Sequence, residues 1–188
     1  MVSRIIPVEP FDLVIFGGTG DLARRKILPG LFRRFCAGQM PDRAQIIGAA
    51  RGELDDAKYR KLIAEAIIEF AKPSVEDQAQ IEGFLKHLSF VSVDAKGTRG
   101  WDALRSLLRD AVVRAFYFSV APALFGELAE QLHSYGLVDN NSRVVVEKPF
   151  GRDLASAKAL NVALAVHFNE DQVYLIDHYL GKETVQNL

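Results

Sequence analysis

The sequence predicts an α/β fold: a Rossmann-like, doubly wound, mainly parallel sheet with helices on both faces. Three observations carry this. Short apolar runs of strand length alternate with longer segments of helical periodicity along the chain. The strand-length runs, such as Leu13-Val-Ile-Phe16 and Val144-Val-Val146, are apolar throughout, as strands covered on both faces must be. The first run also leads directly into a glycine-rich turn that opens a helix.

The first strand is expected near Leu13 to Phe16, followed by Gly17-Gly-Thr-Gly-Asp-Leu-Ala23. Glycines let a backbone take positive φ and approach a pyrophosphate closely, while unpaired amides at a helix start supply donors and partial positive charge. Gly17, Gly18, Thr19, Gly20, Asp21 and Leu22 are therefore candidate coenzyme-binding residues, through the loop amides and the Thr19 hydroxyl. The spacing Gly-x-x-Gly-x-x-Ala departs from Gly-x-Gly-x-x-Gly, so a plain tight turn is the competing reading of this motif alone. A carboxylate would repel a phosphate, so the Asp21 side chain is assigned to capping the helix. That helix is expected from Asp21 to Ala37, with a kink or restart at Pro29, whose missing amide would cost about 3 kcal/mol in a regular interior. Arg24 and Arg25 read as solvated charges, and Lys26 as a candidate substrate contact at the edge of the site.

The second strand, Gln45 to Ala49, is followed by Arg51. An acidic residue after this strand binds the ribose 2′-hydroxyl of NAD, whereas an arginine accommodates the 2′-phosphate of NADP with two charge-assisted hydrogen bonds. Arg51 thus points to NADP, with NAD possible, and its pairing with Glu53 or Asp55 is the competing reading. The second helix, Asp55 to Phe70, turns Leu62, Ile63, Ala66, Ile67 and Phe70 inward and leaves Lys58, Lys61, Glu65 and Glu69 to solvent. A helix over Val75 to His87 and a strand over Leu88 to Val91 follow. The pattern then predicts helices Gly100 to Asp110, Leu124 to Ser134 and Leu154 to His167, and strands Ala115 to Ser119, Arg143 to Val146 and Val173 to Ile176. His87, His133 and His167 read as satisfied, half-buried rings.

Two late segments are chemically dense: Val146-Glu-Lys-Pro-Phe-Gly-Arg-Asp153 and Leu175-Ile-Asp-His-Tyr-Leu-Gly-Lys-Glu183. Each follows a predicted strand, and loops at the carboxyl ends of parallel strands form the ligand crevice. Lys148 becomes an interior cation. General X-Pro preferences make the bond before Pro149 trans. His178 and Lys182, four apart, would present two cationic donors on one face of a helix or tight turn, suited to a phosphomonoester, and Tyr179 adds a hydroxyl.

Composition bounds the alternatives. The 188 residues suffice for one substantial core, and residues 1–188 are read as one domain. Lys plus Arg total 23 against 24 Asp plus Glu, which gives no basic field for nucleic acid or an anionic membrane, so any anion site is local. Cys36 is the only cysteine, which precludes an intrachain disulfide or a paired-cysteine zinc site and fits a reducing, cytoplasmic setting. Pro7, Glu9, Pro10 and Asp12 interrupt any signal-like apolar stretch, and no run of about 18 apolar residues suggests a membrane span.

Taken together, GGTGDLARRK, EKPFG and IDHYLGKETVQNL resemble the glucose-6-phosphate dehydrogenases, and the likeness runs from Asp12 onward, including Phe116-Tyr-Phe-Ser-Val-Ala-Pro-Ala-Leu-Phe125 beside the nicotinamide. The resemblance implies that the Gly17 to Ala23 loop and Arg51 bind NADP, that Asp94 and Ala95 line the adenine side, and that Lys148 contacts cofactor and sugar with Pro149 cis. It implies further that His178 and Lys182 hold the 6-phosphate of glucose 6-phosphate with help from Tyr179. Asp177 then orients a base histidine that lies downstream of Leu188, in a substrate and homo-oligomerisation domain absent from this chain. Leu175 and Ala121-Pro122 depart from the Arg and Pro-Pro frequent in the family. The implied reaction is oxidation at C1 to 6-phosphogluconolactone with reduction of NADP, the opening of the pentose phosphate pathway, and the chain alone is expected to be inactive. A stand-alone dinucleotide-binding sensor or assembly module is the alternative.

Overall fold

The computed structural model describes residues 8–147 and 154–176. Strands β1 (Phe11–Phe16), β2 (Gln45–Ala50), β3 (Leu88–Ser92), β4 (Val113–Phe118), β5 (Ser142–Glu147) and β6 (Val173–Ile176) form one sheet in the order β3-β2-β1-β4-β5-β6. Every pairing is parallel. The chain starts at the centre, winds outward to β3, returns to lay β4 beside β1, and winds outward again to β6. This is the doubly wound arrangement predicted from the sequence, and its direction reverses between β1 and β4.

Alternation along each strand divides the core. Val14, Phe16, Ile47, Phe116, Phe118 and Val144 join one buried cluster, while Leu13, Ile15, Ile46, Leu88 and Phe90 join the other. Leu28 and Phe32 of α1 (Leu28–Cys36), Tyr59 and Ile63 of α2 (Asp56–Ala66) and Phe84 of α4 (Ile81–Leu85) pack on the second face. Trp101 and Leu104 of α5 (Trp101–Leu107), Phe125 and Leu128 of α6 (Phe125–Ser134) and Leu160 and Leu164 of α7 (Leu154–Ala165) cover the first.

The expected restart near Pro29 takes the form of a π-helical turn, Ala23–Ile27, ahead of α1. Leu28 N–H reaches back to Ala23 O, so the chain changes register just before the residue that has no amide to donate. At the head of α2, the Asp55 carboxylate accepts Lys58 N–H at 2.7 Å, and this hydrogen bond lowers its pKa. Tyr59, absent from the expected inward face of this helix, is fully buried.

Several predicted boundaries move. The helix expected over Val75 to His87 is two short pieces, α3 (Val75–Gln78) and α4. Helix α5 stops before Asp110 because Leu108 is extended and Arg109 turns back to Asp12. There the wholly buried Asp12 carboxylate accepts the Arg109 backbone N–H at 2.7 Å, Nε at 2.8 Å and Nη2 at 2.6 Å. Strand β4 ends at Phe118, and Ser119 N–H donates across to Phe16 O at 2.9 Å. Helix α7 ends before His167. His87 meets its expectation, with Nδ1 2.8 Å from Ala44 O. His133 is exposed instead of half-buried, and His167 packs its ring on His133 while its buried Nδ1 lacks a partner. Ring-on-ring contact offers that nitrogen no acceptor.

Candidate functional site

At the carboxyl end of the sheet, beyond the paired ends of β1 and β4, lies a crevice of roughly 490 Å³. Gly17, Thr19 and Gly20 reach it after β1, Arg51 and Gly52 after β2, Val93 and Ala95 after β3, and Val120 and Ala121 after β4. Five residues singled out by sequence, Gly17, Thr19, Gly20, Arg51 and Ala95, are thus brought to one space although they come from three different loops.

The turn after β1 is held down on its neighbours. Gly17 and Gly18 both donate their N–H to Ala49 O, at 2.8 and 3.2 Å, and Gly20 donates to Gly17 O at 2.8 Å. These three amides are committed to protein carbonyls, although Gly17 and Gly20 still line the crevice. The Arg24 N–H to Gly20 O bond, 3.1 Å, is the first of the helix. The amides of Asp21, Leu22 and Ala23 therefore have no carbonyl one turn back, and the Thr19 amide enters none of these bonds. The Thr19, Asp21 and Leu22 amides, on either side of the committed Gly20 amide, are left for an anion, whereas Ala23 is fully buried. Gly17 has φ +81°, and a Cβ there would lie 2.1 Å from Ser119 O, so only glycine lets the turn close against the end of β4.

The Asp21 carboxylate does not cap the helix. It is exposed and pairs with Arg25 at 3.5 Å, and the Arg25 guanidinium also lies 5.0 Å from the centre of the Phe70 ring. Arg24 is half-buried instead of solvated, with its Nε enclosed and unpartnered. Lys26 is exposed. Asp94 serves the loop after β3: its carbonyl accepts the Trp101 indole N–H at 3.0 Å and its carboxylate the Lys96 N–H at 3.1 Å.

Arg51 is exposed, and both of its expected competitors are engaged elsewhere. Glu53 pairs with Arg99 at 3.5 Å, while Asp55 caps α2 and pairs with Lys58 at 3.4 Å. Arg99 Nη2 donates to Arg51 O at 3.0 Å, which places a second cation at this end of the crevice. Sequence reasoning missed Arg99, because no local spacing links it to the second strand. Among the described residues Arg51 has no acidic partner, so its guanidinium remains available for an anion.

Sequence reasoning also missed Tyr59. Its hydroxyl lies under the glycine turn and donates to Gly18 O at 3.3 Å, and burial raises its pKa far above the ordinary phenol value. Farther along the sheet, the Tyr117 hydroxyl hydrogen-bonds the buried Glu147 carboxylate at the ends of β4 and β5. Lys148, Pro149, Asp177, His178, Tyr179 and Lys182 lie outside the described residues.

The family described as glucose-6-phosphate dehydrogenase, NAD binding domain, matches residues 14–187. Glucose-6-phosphate 1-dehydrogenase of Rhizobium meliloti is 50% identical across 100% of this chain and 39% of its own length. The enzyme of the same name from Gluconobacter oxydans is 49% identical across 96% of this chain and 38% of its own. A glucose-6-phosphate dehydrogenase solved in complex with its substrate glucose-6-phosphate superposes with a TM-score of 0.85 at 33% identity, covering 100% of this chain and 40% of that one. The Mycobacterium avium enzyme superposes with a TM-score of 0.84 at 33% identity, over 94% of this chain and 38% of that one. The chain thus spans about two fifths of the length of these relatives.

Proposed function

Because this chain belongs to the glucose-6-phosphate dehydrogenase family, we propose that residues 1–188 are the coenzyme-binding domain of an enzyme that oxidises glucose 6-phosphate with NADP. The observation that carries the proposal is the crevice lined by both Thr19, whose amide has no bond in the glycine turn, and Arg51, which has no acidic partner among the described residues. These donors fit a dinucleotide. Neutral amides at a helix start suit a pyrophosphate, and a guanidinium beyond the second strand suits a 2′-phosphate.

In this reading Thr19, Asp21 and Leu22 hold the pyrophosphate through their amides, and Arg51 grips the 2′-phosphate. Val93 and Ala95 supply an apolar wall for the adenine, while Val120 and Ala121 face the nicotinamide end. The coenzyme, when bound, supplies the hydride acceptor for C1 of the sugar. Lys148 joins the coenzyme and sugar subsites, His178, Tyr179 and Lys182 bind the 6-phosphate, and Asp177 orients and charges a base histidine. That histidine, and the surface for homo-oligomer assembly, are assigned to the portion of the relatives that this chain does not span. No helix among the described residues is long and apolar enough to cross a membrane, and the cytoplasmic setting rests on the single cysteine. The family membership leaves the sensor alternative without an observation in its favour.

Calorimetric titration with NADP and with NAD at fixed salt tests the proposal. An exposed charge-assisted contact contributes about 2 kcal/mol, so Arg51→Ala is expected to weaken NADP about thirtyfold and to leave NAD unchanged. Equal losses for both nucleotides, or none, would show that Arg51 does not read the 2′-phosphate.

A further inference from the structure

We propose that Tyr59 is a positioning residue for the phosphate-binding turn, fixing the Gly18–Thr19 peptide so that the Thr19 N–H is presented to the crevice. The inference rests on the reading of that crevice as the coenzyme site. Its starting point is a mutual fit between a glycine and a phenol. A Cβ on Gly48, in the middle of β2, would lie 2.3 Å from both Cζ and Oη of Tyr59, so the ring occupies the space a side chain would need. Phe90 packs against the ring at 5.2 Å and completes its enclosure.

A fully buried hydroxyl requires a partner, and the one recorded for Tyr59 is Gly18 O. Burial keeps the phenol protonated, so it acts as the donor. Gly18 has little room to move: its N–H is bonded to Ala49 O, and a Cβ on it would lie 2.7 Å from Gly48 Cα. The turn therefore rests directly on β2, with the phenol beneath it.

Peptide geometry supplies the next step. In a planar trans peptide the C=O and the following N–H point in opposite directions. With Gly18 C=O directed at the buried Tyr59, the Thr19 N–H points away from the core, on the side where Thr19 lines the crevice. Rotation of this peptide would aim a carbonyl oxygen at the ligand phosphate. The phenol opposes that rotation by holding the carbonyl down.

Tyr59→Phe leaves the ring against Gly48 and removes only the hydroxyl. Calorimetry of the wild-type and variant chains with NADP, NAD and 2′-AMP reads the effect, and a thermal melt confirms that both are folded. Loss of one hydrogen bond of ordinary worth predicts that NADP and NAD weaken together, about fivefold. The probe 2′-AMP lacks the pyrophosphate and should bind as before. Unchanged NADP and NAD affinity, or an equal loss for 2′-AMP, would overturn the assignment. A second readout is the Thr19 amide resonance of the nucleotide-free proteins, sharp in the wild type and exchange-broadened in the variant; a sharp, unshifted resonance in both would also overturn it. A wild-type chain that binds none of the three nucleotides removes the coenzyme reading and this proposal with it, an outcome distinct from a normal wild-type titration with an unaffected variant.

Discussion

Asp12→Ala should be among the most destabilising single changes in this domain, and should leave the nucleotide site untouched. The Asp12 side chain is 0% exposed and sits near the start of the central strand β1, at the end of the sheet opposite the crevice. One carboxylate oxygen accepts the Arg109 backbone N–H at 2.7 Å, and the other accepts Nε at 2.8 Å and Nη2 at 2.6 Å. Nη2 also reaches Phe11 O at 2.9 Å, so the linkage ties the α5–β4 connection to the base of the sheet. Truncation strands a backbone N–H and an arginine charge together. Breaking a buried pair costs about 3 to 5 kcal/mol, and the 29% exposure of the Arg109 side chain, which lets water reach it, puts this case near 3 kcal/mol. For a chain of this length that corresponds to a fall of roughly 6 to 12 °C in melting temperature. Calorimetry and urea unfolding of wild type, Asp12→Ala and Asp12→Asn measure it, with the asparagine recovering part of the loss because its amide oxygen still accepts. A loss below about 1 kcal/mol for the alanine variant would refute the reasoning, since the pair would then contribute no more than an exposed surface bridge.

Gly17→Ala adds a Cβ 2.1 Å from Ser119 O at a residue with φ +81°; the strain and the displaced turn together cost roughly 3 kcal/mol, so NADP and NAD should both weaken about a hundredfold, and wild-type titrations would exclude the close approach. Burial, and then the neighbouring Asp77 charge, push the Cys36 thiol up to about 11. Because the folded value is the higher one, the associated stability is fully present below the unfolded thiol value of about 8.5 and is lost as pH rises through the folded value. Alkylation by iodoacetamide should accordingly be slow at pH 8.5 and still accelerating at pH 10, and a rate that levels off near pH 9 would contradict this.

The fold was legible because the central strands β1 and β2, buried on both faces, leave near-continuous apolar runs that few other structures need. Element ends were less so, and α5 shows why. Nothing near Leu108 marks a stop; the helix ends because Arg109 is drawn to Asp12, 97 residues earlier in the chain. The competition for Arg51 was legible only as a list of neighbours. Asp55 carries a local signal, since an aspartate ahead of a helical segment caps it, but Glu53 is removed from Arg51 by Arg99, whose position depends on the loop after β3.

The glycine turn shows the same limit at finer scale. Its composition points to a phosphate cradle, yet composition assigns donors to every residue alike. The folded chain separates them: Gly17, Gly18 and Gly20 spend their amides on closing the turn against Ala49 and on itself, which leaves the Thr19, Asp21 and Leu22 amides outside these bonds. In the proposed reading the glycines shape the cradle, and the residues between and after them supply its donors. That division requires the end of β2 to lie within hydrogen-bond reach of the turn, and a glycine at position 48 with Tyr59 seated against it is what lets the turn rest so low on the sheet. In the proposed reading, selectivity between the two nucleotides is then a separate matter of the exposed charge at Arg51. A change in the turn should move both affinities together, and a change at Arg51 should move only one.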